Sequence, residues 1–417
     1  MESRGRNGLA TPIADLHCHY PMHLLARDPS VQEDLPRRRR GKPSNLGFEY
    51  LIRIRHQPGI WPKLRAFLVL TFAKLLNFRT ERDTWRVDLG KLRAGGVRIV
   101  LSVLYLPAAE INDPDGDGDY PELLGRLEEV EAELARESQD VRPIAVKSRA
   151  DLDSAIKGHR IAFVHCVEGG FHLGRDESLV VERVAELKRR GVAYLTLAHL
   201  VYRGVATNAP ALPMLSDGWY DRIFCQPDDG LTARGQAIVR AMYAERMLID
   251  VSHMREQALK ETFDVLRDLD RDSGAEPGEY PILATHAGFR FGDQSYMLEA
   301  GTVREIARRD GVIGLIMAQH QLNEGLGVGE DADDFDRSVR TICAHIDSIR
   351  EHAGSNDHVG IGSDLDGFIK PTLAGIENAD DLGRLREPLG LAYPEDVGKI
   401  LSGNALRVIR KAFPAES

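Results

Sequence analysis

The chain has 417 residues, 43% of them hydrophobic and 28% charged, which excludes a disordered polymer and leaves enough apolar surface for a large core. A net charge of −10 argues against nucleic acid as a partner. The four cysteines, Cys18, Cys166, Cys225 and Cys343, are too few and too scattered for a disulfide framework, so a reducing cytoplasm is expected.

The N-terminal stretch has no apolar segment of the secretory type, and no leader is expected. The first strand-like run is IADLHCHY (13–20). Residues two apart in a strand share a face, so His17 and His19 point the same way and Cys18 turns outward. Residues 22–90 are read as a helical insertion over the mouth of the fold. They include LPRRRRGKP (35–43), a solvated loop, and AFLVLTFAKLLNF (66–78). The latter is interrupted by Lys74 and too short to span a bilayer, so no membrane span is expected.

The second run is VRIVLSVLYLP (97–107). DPDGDGD (113–119) opens like a calcium loop, but its twelfth position is Leu124 where such a loop needs Glu. Residues 121–137 carry apolar side chains at helical spacing. The third run, RIAFVHCVEGG (160–170), ends in Glu168, whose two oxygens could bridge two metals, followed by glycines that permit a sharp turn. The fourth run is VAYLTLAHL (192–200), with His199 near its end, and residues 201–232 form a long loop of the sort that shapes a pocket. MLIDVSHM (247–254) ends near His253 and PILATHAG (281–288) near His286. GVIGLIMAQ (311–319) and HVGIGSDLDG (358–367) complete the series, the last offering Asp364 and Asp366 on one face if the strand runs that far.

Strand-like runs that alternate with amphipathic helices and are apolar on both faces indicate a parallel sheet, and eight of them indicate a (β/α)₈ TIM barrel. The chain is read as one such domain over 1–417. Catalytic groups in this architecture sit at the carboxyl ends of the strands. His17, His19, Glu168, His253 and His286 all fall there, which points to a metal-dependent hydrolase. A lone strand histidine is usually a hydrogen-bonded core residue; several at equivalent strand ends would each need a separate partner.

With these residues in view, the chain resembles the renal (membrane) dipeptidase family, peptidase family M19. The likeness rests on VDLGKLRAGGV (87–97), VEGG (167–170), LTLAHLVYRGVATN (195–208), LTARGQAIVRAMYAERMLIDVSH (231–253), HIDSIREHAGSNDHVGIGSDLDG (345–367) and EDVGKILSGNALRV (395–408). It implies two Zn²⁺ ions bridged by Glu168, one held by His17 and His19, the other by His253 and His286. It also implies a metal-bridging hydroxide that cleaves an amide bond, Asp364 as acid/base, His199 polarising the scissile carbonyl, and a homodimer. Arg203 and Asn208, on the loop after His199, and Arg290 are candidate substrate-binding residues for a small dipeptide-like molecule.

Three positions depart from the family pattern. His19 stands where an aspartate is usual. No arginine occurs in FGDQSYM (291–297), where the family carries one to grip the substrate's carboxylate, and AQHQLN (318–323) replaces a tyrosine-bearing stretch. Another carbonyl substrate, such as an N-acyl amino acid, a lactam or a lactone, is therefore the alternative to a dipeptide. A barrel that has lost catalysis is a third reading.

Overall fold

The computed structural model describes residues 11–25, 85–111, 120–138, 142–212, 215–227, 230–327, 334–367, 369 and 371–415. The basic run at 35–43, the apolar stretch at 66–78, the calcium-like stretch at 113–119 and nearly all of the expected insertion lie outside them.

Among the described residues, nine strands form a single parallel sheet: β1 (Ile13–Cys18), β2 (Val97–Leu104), β3 (Ile144–Ala145), β4 (Ala162–Glu168), β5 (Val192–Thr196), β6 (Leu248–Asp250), β7 (Ile282–Ala287), β8 (Val312–Leu315) and β9 (Val359–Ile361). Eight close into a barrel, because β1 pairs with both β2 and β9 and β2 pairs directly with β4. Each corresponds to one of the eight apolar runs. β3, which the sequence pattern did not reveal, is a two-residue strand beside the start of β4, too short to show a period.

Burial on both faces explains the composition of the strands. Every residue of β4, β5 and β7 is buried, as in a barrel whose interior is filled by side chains and whose exterior is covered by helices. The covering helices include Tyr120–Ala135, Glu177–Arg189, Ala233–Ala244, Glu256–Ser273, Ala300–Arg308, Phe335–Ala353 and Asn404–Ala412. Their ends follow local chemistry. Thr232 caps Ala233–Ala244 by accepting from the Gly235 N–H, and Gly354 ends Phe335–Ala353 in the left-handed conformation.

The loops after the strands gather at one mouth. The 201–232 connection is not wholly irregular; it contains the helix Asp217–Ile223. The stretch after β8 winds into the short helix Gln319–Leu322. A close approach inside the barrel requires glycine at Gly362: a Cβ there would lie 1.7 Å from the Thr285 carbonyl oxygen.

Candidate metal centre

Glu168 occupies the middle of the mouth. It ends β4, and Gly169, with φ of 100°, turns the chain away immediately after it. Both carboxylate oxygens are buried and accept no hydrogen bond. Burial alone would favour the neutral acid, but the neighbouring His199 and His17 rings hold its carboxyl well below the usual carboxylate range.

Histidine nitrogens surround that carboxylate. Nε2 of His17 and of His286 each lie 3.3 Å from Oε1, with His253 Nε2 at 3.6 Å. Oε2 faces His19 Nε2 at 3.4 Å and His199 Nε2 at 3.3 Å. Nε2 atoms also meet in pairs, His17 with His19 at 3.3 Å and His253 with His286 at 2.8 Å. Asp364 joins from the turn after β9, its Oδ1 3.1 Å from His19 Nε2. Three overlapping groups result, each compact enough to hold an ion: His17, Glu168 and His286; His17, His19 and Asp364; Glu168, His199 and His253.

A buried network orients two of the rings. Asp250, at the end of β6, accepts from the hydroxyls of Thr285 (2.7 Å) and Thr196 (2.6 Å). With its proton given to Asp250, the Thr285 oxygen can only accept, and Nδ1 of both His17 and His286 lies 2.9 Å from it. Each ring can therefore keep a proton on Nδ1, which leaves Nε2, the nitrogen facing Glu168, as the one available to a metal. Burial lowers His253 and His286 well below their ordinary value, which keeps them neutral. On the other side of the mouth, Glu110 receives His199 Nδ1 (2.7 Å), the Tyr105 hydroxyl (2.6 Å) and the Val201 N–H (2.9 Å). Burial opposes a charge on His199, but Glu110 and Glu168 overcome it and push its pKa up to about 9.

The donor set fits a divalent metal. Unpartnered carboxylate oxygens ringed by imidazole nitrogens a hydrogen-bond length apart are costly without a cation between them.

A model of the membrane dipeptidase family, peptidase family M19, matches residues 61–416. The chain belongs to that family. As an M19 member it is a hydrolase of the peptidase type, and the family's chemistry implies a divalent metal. Dipeptidase ataJ of Aspergillus terreus is 24% identical over 345 residues, covering 78% of this chain and 76% of that protein. Mouse dipeptidase 3 is 27% identical over 254 residues, 60% of this chain and 45% of its own length, so the match spans less than half of that relative. The structure of a Rhodobacter sphaeroides metallopeptidase, liganded with a phosphinate mimic of the dipeptide L-Ala-D-Ala, superposes with a TM-score of 0.68 over 97% of this chain and 100% of that one, at 16% identity. That likeness shows the shared barrel.

Six positions in this M19 peptidase differ from the expectations set by its sequence. His253 is not at a strand end; it lies three residues beyond β6 with φ of 65°. Asp364 and Asp366 do not share a face, because β9 stops at Ile361 and both residues adopt left-handed φ, 55° and 64°. The turn sends Asp364 to the histidines and Asp366 away, to accept from the N–H groups of Arg86 and Val87. Such backbone costs about 1–2 kcal/mol at a non-glycine residue and is imposed by the surrounding packing. The last three concern candidate substrate contacts. Arg203 donates to the backbone oxygens of Ala109 and Glu110. Arg290 is spent on the Met297 and Ser295 carbonyls and on Glu299, bracing its own loop. Asn208 is likewise committed, to the Leu200 carbonyl and the Tyr220 hydroxyl. None of the three lines the cavity over the candidate metal site.

That cavity, about 20 Å³, is bounded by His19, His199, His253 and Asp364 on one side and by Leu200, Tyr296, Ile316, His320, Gln321 and Ile369 on the other. At Ala211, His320 and Gln321 it meets a larger vestibule of about 690 Å³. Sequence reasoning missed Glu110, Asp250, Thr285, His320 and Gln321. Asp250 had a signal, being a charged residue in an apolar run; Glu110, on a short helix after β2, had none.

Proposed function

We propose that this protein is a zinc-dependent hydrolase that cleaves an amide bond in a small, dipeptide-like substrate. The observation that carries the reading is Glu168, ionised, buried and unpartnered, with five histidine nitrogens within 3.6 Å of its oxygens. Glu168 would hold two divalent ions jointly, with His17 and His19 on one and His253 and His286 on the other; imidazole and carboxylate donors suit zinc. When bound, such ions activate water for attack near neutral pH and polarise a carbonyl.

The remaining roles belong to the protein's own groups. Asp364 is placed to take the attacking water's proton and to return it to the leaving nitrogen. His199, kept cationic by Glu110, donates from Nε2 to the oxygen on which negative charge develops. Buried Tyr296, Ile316 and Ile369 shield the reacting atoms from bulk water. His19, in place of a carboxylate, removes one negative charge from the donor set and so leaves the ions a stronger pull on water.

Metal analysis of protein purified without chelator should find about two divalent ions per chain. Chelation should abolish hydrolysis of a dipeptide or dipeptide-amide panel, and zinc should restore it. Metal-replete protein that hydrolyses no amide, lactam or lactone would refute the reading. Lactams, lactones and N-acyl amino acids remain the second reading, and the absence of any Arg or Lys among the described residues lining either cavity favours those of them without a free carboxylate.

We also read the chain as one barrel domain, homodimeric and cytoplasmic; light scattering tests the assembly. Among the described residues, no helix is long and apolar enough to cross a membrane.

A further inference from the structure

If the cavity over the candidate metal centre takes the reacting bond, the vestibule it meets at Ala211, His320 and Gln321 is the space for the rest of the substrate. Every group with a formal charge among the described residues lining the vestibule is an acid: Asp217, Asp293 and Glu324. Two of these carboxylates are fixed by backbone. Asp217 Oδ2 accepts from the Ser295 N–H (3.0 Å) and hydroxyl (2.6 Å), and Glu324 Oε1 accepts from the Asp293 N–H (2.8 Å). The other Glu324 oxygen, Oε2, is buried and receives no hydrogen bond.

A second, independent feature points the same way. Gln321 is only 3% exposed and lines both cavities, yet its Oε1 has no donor. A buried amide oxygen without a donor is costly, and a ligand that supplies an N–H satisfies it. His320, beside it, also lines both cavities, and both its ring nitrogens are buried without partners. Burial pushes its pKa down to about 4, so it contributes no positive charge near neutral pH. Among the described residues, a carboxylate entering here would meet three like charges and no cationic side chain; an ammonium would meet three opposite charges and an acceptor waiting for a donor.

We propose that the substrate of this enzyme carries a cationic amine at the end lying in the vestibule, in place of the free carboxylate of a simple dipeptide. The proposal rests on the reading of the site as an amide-hydrolysing metal centre and names its substrate class. The vestibule then does by charge what an arginine clamp would do with opposite sign.

The test uses three phosphinate mimics of one dipeptide, identical at the tetrahedral phosphorus and ending in an aminoethyl amide, a carboxamide or a free carboxylate. Binding to the zinc-loaded full chain is measured by calorimetry at low and high salt, alongside kcat/KM for the three parent amides. The aminoethyl amide should bind about tenfold or more tighter than the carboxylate, with the carboxamide between them and the gap closing as salt rises. In the Asp293→Asn, Glu324→Gln double variant, the cation-to-carboxylate ratio should fall several-fold while zinc content stays unchanged. A carboxylate that binds as well as the cation would overturn the proposal, and so would a ratio unmoved by the double variant. If metal-loaded protein bound none of the three, the amide-hydrolase reading itself would fall and take this one with it.

Discussion

The inner cavity and the vestibule share three lining residues but differ in kind. At the candidate metal centre, each group comes from a strand end or the residues soon after it, and hydroxyls, carboxylates and backbone brace much of the set. Asp250 holds Thr285, Thr285 holds His17 and His286, and Glu110 holds His199. The vestibule is made of loops, the 211–218 and 292–294 segments and the short helix after β8, and it retains unpartnered polar atoms on Gln321, His320 and Glu324. Groups that must hold reactive geometry are over-determined; groups that await a substrate are left open. The reaction type is written in the barrel, and the substrate choice in its loops.

That contrast can be broken at several points, and the largest effect should come from the centre. Glu168→Ala should abolish amide hydrolysis and reduce metal content at both positions, because both oxygens face ligand nitrogens. Metal analysis decides this: full occupancy in the variant would mean that Glu168 is no bridge. Asp364→Asn should keep the metal and lose on the order of 10²–10⁴-fold in kcat, since the amide cannot accept the proton. Loss of metal instead would make Asp364 chiefly a ligand, as its place beside His17 and His19 allows.

Glu110→Gln should lower kcat about 10–100-fold with KM little changed, the value of a charge-assisted hydrogen bond of roughly 1.5–3 kcal/mol. Glutamine still accepts from His199 Nδ1 but cannot keep the ring cationic, so the alkaline limb of the pH profile should shift to lower pH. An unshifted profile would leave Glu110 with only a packing role.

The smallest effect on turnover should come from His345, which joins the loops around the vestibule. Its Nε2 donates to the Leu322 carbonyl (2.8 Å) and its Nδ1 accepts from the Phe289 N–H (3.0 Å), so the ring is satisfied only when neutral. Burial pushes its pKa down to about 4. The unfolded chain therefore binds the proton first as pH falls below the ordinary value of 6.5, and stability is lost between there and about 4. The full loss is about 3 kcal/mol. Urea titrations of wild type and His345→Gln at pH 7 and pH 5 would show it; the two proteins should lose different amounts of stability on acidification. Equal losses would show that His345 does not titrate in this window.

The candidate ligands were legible because strand ends are local features. Apolar runs mark the strands, period 2 puts His17 and His19 on one face, and Gly169 after Glu168 marks the turn. The pattern failed where the chain leaves regular geometry. Nothing local distinguishes Asp364 from Asp366, because left-handed residues at both positions replace the alternation. Arg290 and Arg203 are near enough in sequence to be candidates, yet backbone carbonyls take up their guanidinium groups, from its own loop for Arg290 and from a segment distant in sequence for Arg203.

By itself the amino-acid sequence determined the eight-stranded barrel and five candidate ligands that crowd at one end of it, because burial and pleat act over a few residues at a time. Only the tertiary structure decided which nitrogen of His17 and His286 faces Glu168, that Glu110 holds His199, and that the vestibule is acidic. Those outcomes depend on hydrogen bonds and charges brought together from strands and loops far apart in the chain, where no local period records them.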